Sequence, residues 1–395
     1  MSTQPNQPIY LDYAATTPID PVVAQAMADC LTQTGTFANP ASLHRYGWEA
    51  QQKVETARAQ VAALLGATPR EIVWTSGATE AINLALKGYM HANQHRGIHL
   101  ITCQTEHKSV LDTAAQLEAE GFDVTYLKPD AAGRYCVEQF AEAITPDASL
   151  LSVMWVNNET GVVQDIPAIA ELAAQTGVRL HVDAVQAIGK LPLDVSAHKI
   201  DLLSMSAHKL YGPKGIGALY VRRGKPAVRL HALLHGGGHE RGLRSGTLPT
   251  HQIVGMGLAY ALAQQRLADD AQHMAGLKAQ LWSGISTLPA VVCNGDLHAA
   301  APHILNVQFH GVDGEALLMA LQDLALSAGS ACTAATIEPS HVLSAMGLSD
   351  TAAHQSLRFS LGRMTTVAEI EQALELITLH VTRLRTLSAG LEVKS

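Results

Sequence analysis

Short apolar runs alternate with longer amphipathic stretches between about residues 54 and 260. The short runs have the length of buried strands, and the stretches between them have the periodicity of helices. This alternation is typical of an α/β protein with a mainly parallel sheet, here of seven strands. The predicted strands are EIVWTS, IHLITCQ, DVTYLKP, LLSVMWV, VRLHVDA, DLLSMSA and GALYVRR.

The pattern changes after a stretch rich in Ala, Gln and Leu that runs from about residue 260 to residue 282. Fewer strands follow, HILNVQF and SLRFSLG among them, and they are mixed with helices. We therefore expect a large domain at 17–262 and a smaller α+β domain formed by residues 1–16 and 263–395. A continuous helix across the boundary leaves its position open.

Composition and charge narrow the class of protein. The chain has 395 residues, 47% of them hydrophobic, which suits a large core and two domains. A net charge of −8, with Lys and Arg spread along the chain, argues against nucleic-acid binding. Five widely separated cysteines without a C-x-x-C pair favour a reducing compartment, the cytoplasm. No signal peptide or membrane span is expected.

A phosphate site is one interpretation of WTSGATEAINLAL, where Ser76, Ala78 and Thr79 lie between a predicted strand and a predicted helix. Backbone N–H groups at a helix N-terminus bind anions such as phosphate, and a glycine permits close approach. Ordinary helix capping by Ser76 or Thr79 explains the same segment.

Two further strands end in residues that suit cofactor chemistry, and open α/β sheets bind ligands at these ends. Asp183 ends one strand, where a buried carboxylate needs a structural cation or a ligand nitrogen as its partner. Lys209 follows another; lysines in loops are usually solvated, but a buried amine here can act as a nucleophile. A phosphate site, an acid for a ring nitrogen and an amine for an aldehyde are what pyridoxal phosphate requires.

Cys332 lies in ALSAGSACTAATIEP, a segment without large apolar residues beside the cysteine. A free cysteine is usually a small buried core residue. Because these neighbours supply no core, the segment predicts an exposed thiol with a chemical role. We expect a loop at about 325–339 that moves with its cysteine.

Ten segments of the chain resemble, in order and nearly end to end, the cysteine desulfurases that supply sulfur for iron–sulfur clusters. They are YLDYAATTP, NPAS, TSGATE, TEHKSVLD, VNNETGVVQDI, HVDAVQAIGKLP, SAHKLYGPKGIGALYVR, GGGHERGLRSGTLP, SAGSACTA and LRFSLGR. The resemblance is to the housekeeping bacterial type, of the class V aminotransferase family and the type-I pyridoxal phosphate fold. It implies conversion of L-cysteine to L-alanine, with sulfur passed as a persulfide on Cys332 to acceptors for cluster assembly and tRNA thiolation.

The resemblance also implies roles for the residues around the cofactor. Lys209 would hold the cofactor and move protons, Asp183 would pair with the ring nitrogen, and His107 would stack on the ring. The residues implied to hold the phosphate are Ala78, Thr79, Ser206 and His208, and those near the ring hydroxyl are Asn158 and Gln186. Thr247 of RSGT would complete the phosphate site of a second subunit, so a homodimer is implied.

Substrate and partner sites follow from the same resemblance. Arg358 would bind the substrate carboxylate, a bidentate task that suits a planar guanidinium, although a structural salt bridge also explains it. Asn39 would assist. Cys332 would transiently ligate an iron–sulfur cluster shared with the scaffold protein, while docking of that scaffold is left open because the family's aromatic tail does not follow RLRTLSAGLEVKS.

Several alternatives stay open. Ala38 and Ala207 stand where the family commonly has glycine, which puts a modest change in affinity in question. Another class V enzyme, such as an aminotransferase or a selenocysteine lyase, would have the same fold. A third interpretation is a dimeric platform for acceptor proteins without activity. A metal site at His235 and His239 is disfavoured, because three glycines disrupt the helical spacing that would aim both imidazoles at one ion.

Overall fold

The computed structural model describes residues 7–328 and 339–392. The strands in this part of the chain are β1 (Ile9–Tyr10), β2 (Ile72–Thr75), β3 (His99–Cys103), β4 (Asp123–Leu127), β5 (Ala148–Met154), β6 (Arg179–Asp183), β7 (Leu202–Ser206), β8 (Gly217–Val221), β9 (Val291–Cys293), β10 (Ile304–Phe309), β11 (Leu324–Ala325), β12 (Ser327–Ala328) and β13 (Ser356–Ser360). They form sheets of seven, four and two strands.

Helices occupy most of the connections between the strands. They are α1 (Pro21–Ala28), α2 (Arg45–Leu65), α3 (Ala78–Ala92), α4 (Lys108–Ala119), α5 (Val137–Ala143), α6 (Ile166–Thr176), α7 (Thr250–Ile285), α8 (Gly314–Ala320), α9 (His341–Ala345), α10 (Asp350–His354) and α11 (Val367–Glu392). None of the described helices combines the length and the apolar content that crossing a membrane requires.

The large sheet has the strand order β2-β8-β7-β6-β5-β3-β4. Its strands are parallel except for β8, which is antiparallel to both of its neighbours. All seven predicted strands are found in it, and the predicted α/β fold is confirmed. The parallel order places the carboxyl ends of β5, β6 and β7 at one edge, where this class of sheet binds ligands.

Six of the seven strands of the large sheet are buried on both faces, which explains their largely apolar sequences. The edge strand β4 is exposed or partly buried along its length. Successive residues point to opposite faces: Leu100 packs against α3 and α4, whereas Ile101 joins the core formed with α2, α5, α6 and α7. Leu202 and Leu203 divide between the two faces in the same way.

A second core packs around the four-stranded sheet, which has the order β12-β13-β10-β9. Ile9 and Leu11 belong to this second core, and so do residues of α11. Helix α7 spans both cores, since Tyr260 packs in the first and Leu281 in the second. The continuous helix expected at the boundary is therefore present, while the division at residue 262 stays a prediction.

Candidate active site

Lys209 lies just beyond β7, at the carboxyl edge of the large sheet. Its Nζ donates hydrogen bonds to the carbonyl oxygens of Ala14 at 2.6 Å and Ala15 at 2.7 Å. Burial and the positive charge of Arg358 together lower the pKa of this amine to about 8, while Asp12 and Asp183 act in the opposite direction. The amine is therefore held by fixed acceptors and gives up its proton close to neutral pH.

The N-terminal segment 12–17 holds the loop that carries Lys209. Thr17 N donates to the carbonyl oxygen of His208 at 2.9 Å, and Tyr211 N donates to Thr17 Oγ1 at 2.7 Å. Tyr211 has a φ of 59°, a conformation that is costly for an aromatic residue. These contacts on both sides of Lys209 hold the strained turn in place.

Asp183 is the last residue of β6 and lies opposite Ser204 of β7. The described residues give its side chain one hydrogen bond, from Val185 N to Oδ1 at 3.0 Å. Burial raises its pKa to about 6, although the positive charge of Lys209 acts against this rise. A buried carboxyl with so few partners is suited to a cationic ligand group.

Strand β8 lies between β7 and β2, the strand that leads into α3. In the sheet, Gly217 pairs with Thr75 on one side and with Ser206 on the other. Gly77, which precedes α3, has an extended backbone, and a Cβ there would meet no atom within 4 Å. Neither backbone conformation nor packing requires a glycine there, so the open space suits an anion at the helix N-terminus.

Polar groups around this helix start are already paired. Glu80 accepts a hydrogen bond from Ser76 N at 2.7 Å and forms an ion pair with Arg244 at 2.9 Å. Thr79 has an exposed side chain. Of the other predicted phosphate residues, His208 contacts Thr16 Oγ1 at 3.2 Å, and burial lowers its pKa to about 4.

His107 is the N-cap of α4. Its Nδ1 accepts a hydrogen bond from Ser109 N at 3.1 Å and lies 2.7 Å from Ser109 Oγ. Burial lowers the pKa of His107, and the charges of Lys209 and His341 lower it further. These effects favour the neutral form of the imidazole.

Gln186 and Asn158 are the two residues predicted to lie near the ring hydroxyl of the cofactor. Gln186 Nε2 donates to the Ala14 carbonyl at 2.9 Å, and its Oε1 lies 3.3 Å from His303 Nε2. Asn158 Oδ1 is buried without a hydrogen-bond partner among the described residues. A buried amide oxygen without a partner is costly and indicates that a ligand group belongs there.

Arg358 is buried in β13, opposite Ser327 of β12. Its Nη2 contacts Asp12 Oδ1 at 2.7 Å, and its Nη1 donates to the Asn158 carbonyl at 2.9 Å. The salt bridge anticipated as an alternative for Arg358 thus exists, at the edge of the predicted site. Asn39 is exposed, and its Oδ1 accepts a hydrogen bond from Ala41 N at 2.9 Å, a local turn contact.

Cys332 lies outside the described residues, as does most of the predicted loop at 325–339. The described chain before this segment ends at β12, beside Arg358. On the other side, His341 Nε2 lies 2.9 Å from the carbonyl oxygen of Glu106, the residue before His107, and Ser340 donates to Glu159.

Two further sequence features, Thr247 and the histidines His235 and His239, lie within the described residues. Thr247 is exposed and close in sequence to Arg244, which pairs at the start of α3. Within residues 7–328 and 339–392, no group of three His, Cys, Asp or Glu side chains is arranged to hold a metal ion. His239 Nδ1 accepts a hydrogen bond from Gly246 N at 3.3 Å.

The sequence did not predict that the N-terminal segment forms part of the site. It also did not predict two buried glutamates, Glu106 and Glu159. Asp12, Ala14 and Ala15 contact Arg358 or Lys209, and YLDYAATTP signalled this segment only through resemblance. Glu106 and Glu159 are buried, and burial raises both pKa values, that of Glu159 to about 7. Acidic residues inside TEHK and NNET were the available signal.

Comparison with known proteins agrees with this architecture. The family model described as aminotransferase class-V matches residues 9–373. Cysteine desulfurase IscS of Aeromonas salmonicida is 59% identical over 382 residues, 96% of this chain and 94% of that protein. The chain therefore belongs to the class-V aminotransferase family and, within it, to the cysteine desulfurases.

Solved structures give the same result. A NifS-like protein superimposes with a TM-score of 0.89 at 36% identity, covering 96% of this chain and 100% of that chain. SspA, solved in complex with cysteine, superimposes with a TM-score of 0.80 at 40% identity and covers 91% of this chain and 100% of that chain. The predicted family is thus confirmed.

Proposed function

We propose that this chain is a pyridoxal phosphate-dependent cysteine desulfurase that converts L-cysteine to L-alanine and passes the sulfur to acceptor proteins for iron–sulfur cluster assembly. The observation that carries the proposal is that the N-terminal segment binds both Lys209 and Arg358, next to the carboxyl end of β6 where Asp183 lies. An amine, a buried acid and a guanidinium at the carboxyl edge of a parallel sheet suit an amino-acid substrate and this cofactor.

The residues present fit the cofactor. The open space before α3 suits its phosphate, the buried Asp183 suits its protonated ring nitrogen, and the unpartnered Asn158 Oδ1 suits a ring substituent. When bound, the cofactor withdraws electrons from the bonds of the substrate α-carbon. Lys209 would hold it and carry protons, which its lowered pKa permits.

Arg358 would bind the substrate carboxylate, and neutral His107 would cover the ring. The Cys332 thiolate would then attack the sulfur of the bound cysteine. The new S–S bond forms as the substrate C–S bond breaks, and the electron pair stays on carbon, which takes a proton to give alanine. The persulfide on Cys332 is the form in which the sulfur leaves the site.

The test is the release of alanine and sulfide from L-cysteine, with a thiol reductant present to release the persulfide sulfur. We expect equal amounts of alanine and sulfide from the wild type. Cys332→Ala should bind the cofactor and lose nearly all activity, and Lys209→Ala should lose both activity and the wild-type absorbance of the bound cofactor. Cys136→Ala and Lys199→Met, which change exposed residues of the same types, are the matched controls.

Sulfide release by Cys332→Ala at the wild-type rate would contradict the persulfide step while leaving the cofactor assignment intact. Release of selenide from selenocysteine, without sulfide from cysteine, would point to a lyase of the same family. The homodimer, a role in tRNA thiolation, a transient cluster ligand at Cys332 and a cytoplasmic location stay predictions.

A further inference from the structure

Two cations, Lys209 and Arg358, lie at the proposed site, and the carboxylate of Asp12 is paired with Arg358. Asp12 Oδ1 lies 2.7 Å from Arg358 Nη2, and the side chains of Arg358 and Asp12 are 7% and 20% exposed. An ion pair this buried is held with little solvent screening, so the charge of Asp12 acts strongly on its surroundings.

The backbone fixes where Asp12 stands relative to Arg358. Ser360, two residues after Arg358, donates from N to the Leu11 carbonyl at 2.7 Å and accepts at its own carbonyl from Tyr13 N at 3.3 Å. Ser360 Oγ accepts from Ala14 N at 2.9 Å. The residues on both sides of Asp12 are therefore hydrogen-bonded to the strand that carries Arg358.

The same segment reaches Lys209 only two residues later. The Ala14 and Ala15 carbonyls accept from Lys209 Nζ, so one stretch of chain sets the spacing of the amine and the guanidinium. Around Lys209, the charged and titratable neighbours from the packed elements are Asp12, His107, Asp183, Lys190, His208 and Arg358.

We propose that Asp12 is a positioning residue whose carboxylate orients Arg358 and offsets the effect of the Arg358 charge on Lys209. This inference rests on the proposed function for the roles of Arg358 and Lys209. In support, the charge of Arg358 lowers the pKa of Lys209 and the charge of Asp12 raises it.

The test is the pH at which Lys209 becomes reactive toward an amine-labelling reagent, followed by mass spectrometry of the full-length chain purified without cofactor. Removing the Asp12 charge leaves Arg358 unopposed, so in Asp12→Asn the midpoint should fall by about one pH unit. In Arg358→Gln the midpoint should rise, whereas Asp12→Glu should restore the wild-type value. Asp269→Asn, at an exposed aspartate of α7, is the control.

A purely structural role for Asp12 predicts the opposite sign. Loss of packing would expose Lys209 to water and return its pKa toward that of an ordinary lysine, so the Asp12→Asn midpoint would rise. A raised or unchanged midpoint would overturn the proposal.

Asp12→Asn leaves a buried guanidinium without its counter-ion and can fail to fold. The comparison is then made between Arg358→Gln and the double variant Asp12→Asn/Arg358→Gln, in which no charge is stranded. Removing Asp12 must still lower the Lys209 midpoint in this pair. Because labelling needs neither cofactor nor substrate, it reports on Asp12 even if the wild type releases no alanine from cysteine.

Discussion

Lys190 is a buried lysine in the segment that follows Asp183. Its Nζ donates to the carbonyl oxygen of Lys209 at 3.3 Å and lies 5.4 Å from the centre of the Tyr211 ring. Burial and the charge of Arg363 together lower its pKa to about 7. In the unfolded chain a lysine has a pKa of about 10.4. Between these values the unfolded state binds more protons, so stability from this residue rises with pH.

We therefore expect Lys190→Met to be more stable than the wild type at neutral pH, by about 1–3 kcal/mol, with the gain shrinking toward about pH 9.5. Urea unfolding at several pH values measures this difference. Lys199→Met, at an exposed lysine, should show no such pH dependence. A gain that is constant with pH would mean that Lys190 is not held near its neutral form.

Glu159 should show the opposite pH dependence. Burial raises its pKa to about 7, with Ser340 and Arg358 acting against the rise, whereas an unfolded glutamate titrates near about 4.3. Between these values the folded state binds more protons, so stability falls as pH rises. Glu159→Gln keeps an acceptor for Ser340, and its stability relative to the wild type should grow by about 1–3 kcal/mol between about pH 5 and pH 8.

The two profiles check each other, because Lys190→Met and Glu159→Gln are measured by the same unfolding curves. A general effect of pH on the unfolded chain would move both differences in one direction. Opposite slopes, with no slope for the exposed control Lys199→Met, are the result expected from the two buried groups.

At the scale of elements, the start of α3 offers a test of the phosphate site. Gly77 has open space where a Cβ would be, and its backbone is extended, so alanine fits the protein without ligand. We expect Gly77→Ala to weaken pyridoxal phosphate binding by about tenfold, since the methyl group would obstruct one close N–H contact. A cofactor titration followed by absorbance measures the change.

Gly276→Ala is the matched control, since a Cβ at this glycine of α7 also meets no atom within 4 Å. Removing a helical glycine should stabilise α7 by about 0.5–1 kcal/mol without altering cofactor affinity. If Gly77→Ala bound the cofactor as tightly as the wild type, the phosphate would have to lie elsewhere.

The elements of the large sheet could be predicted from sequence because burial on both faces gives most of its strands a largely apolar run, with the edge strand β4 as the exception. The short strands β1, β9, β11 and β12 have two or three residues each and carry no such pattern. Asp183 and Lys209 were found because Asp183 ends one recognisable strand and Lys209 comes shortly after another. Asp12 was not, because its partner Arg358 is 346 positions away in the chain and no local periodicity records that contact.

At the scale of the whole molecule, α7 joins two cores and the N-terminal segment returns from the second core to the site in the first. Leu11 is fully buried in the second core, while Ala14 accepts from Lys209. Lys209 and Arg358 are thus held relative to each other by contacts that cross between cores. A change in the packing of one core should therefore alter the position of Lys209 relative to Arg358 through this segment.

The predicted homodimer places Thr247 of one subunit at the phosphate of the other, which complementation can test. Lys209→Ala and Thr247→Asp chains, each inactive alone, are co-expressed with different tags and the mixed dimers are purified. If Thr247 acts across the interface, one site in each mixed dimer collects both changes and the other has neither. Purified mixed dimers should then have about half the wild-type activity, as twofold symmetry requires. If Thr247 served its own subunit, each site would carry one change and the mixed dimers would be as inactive as their parents.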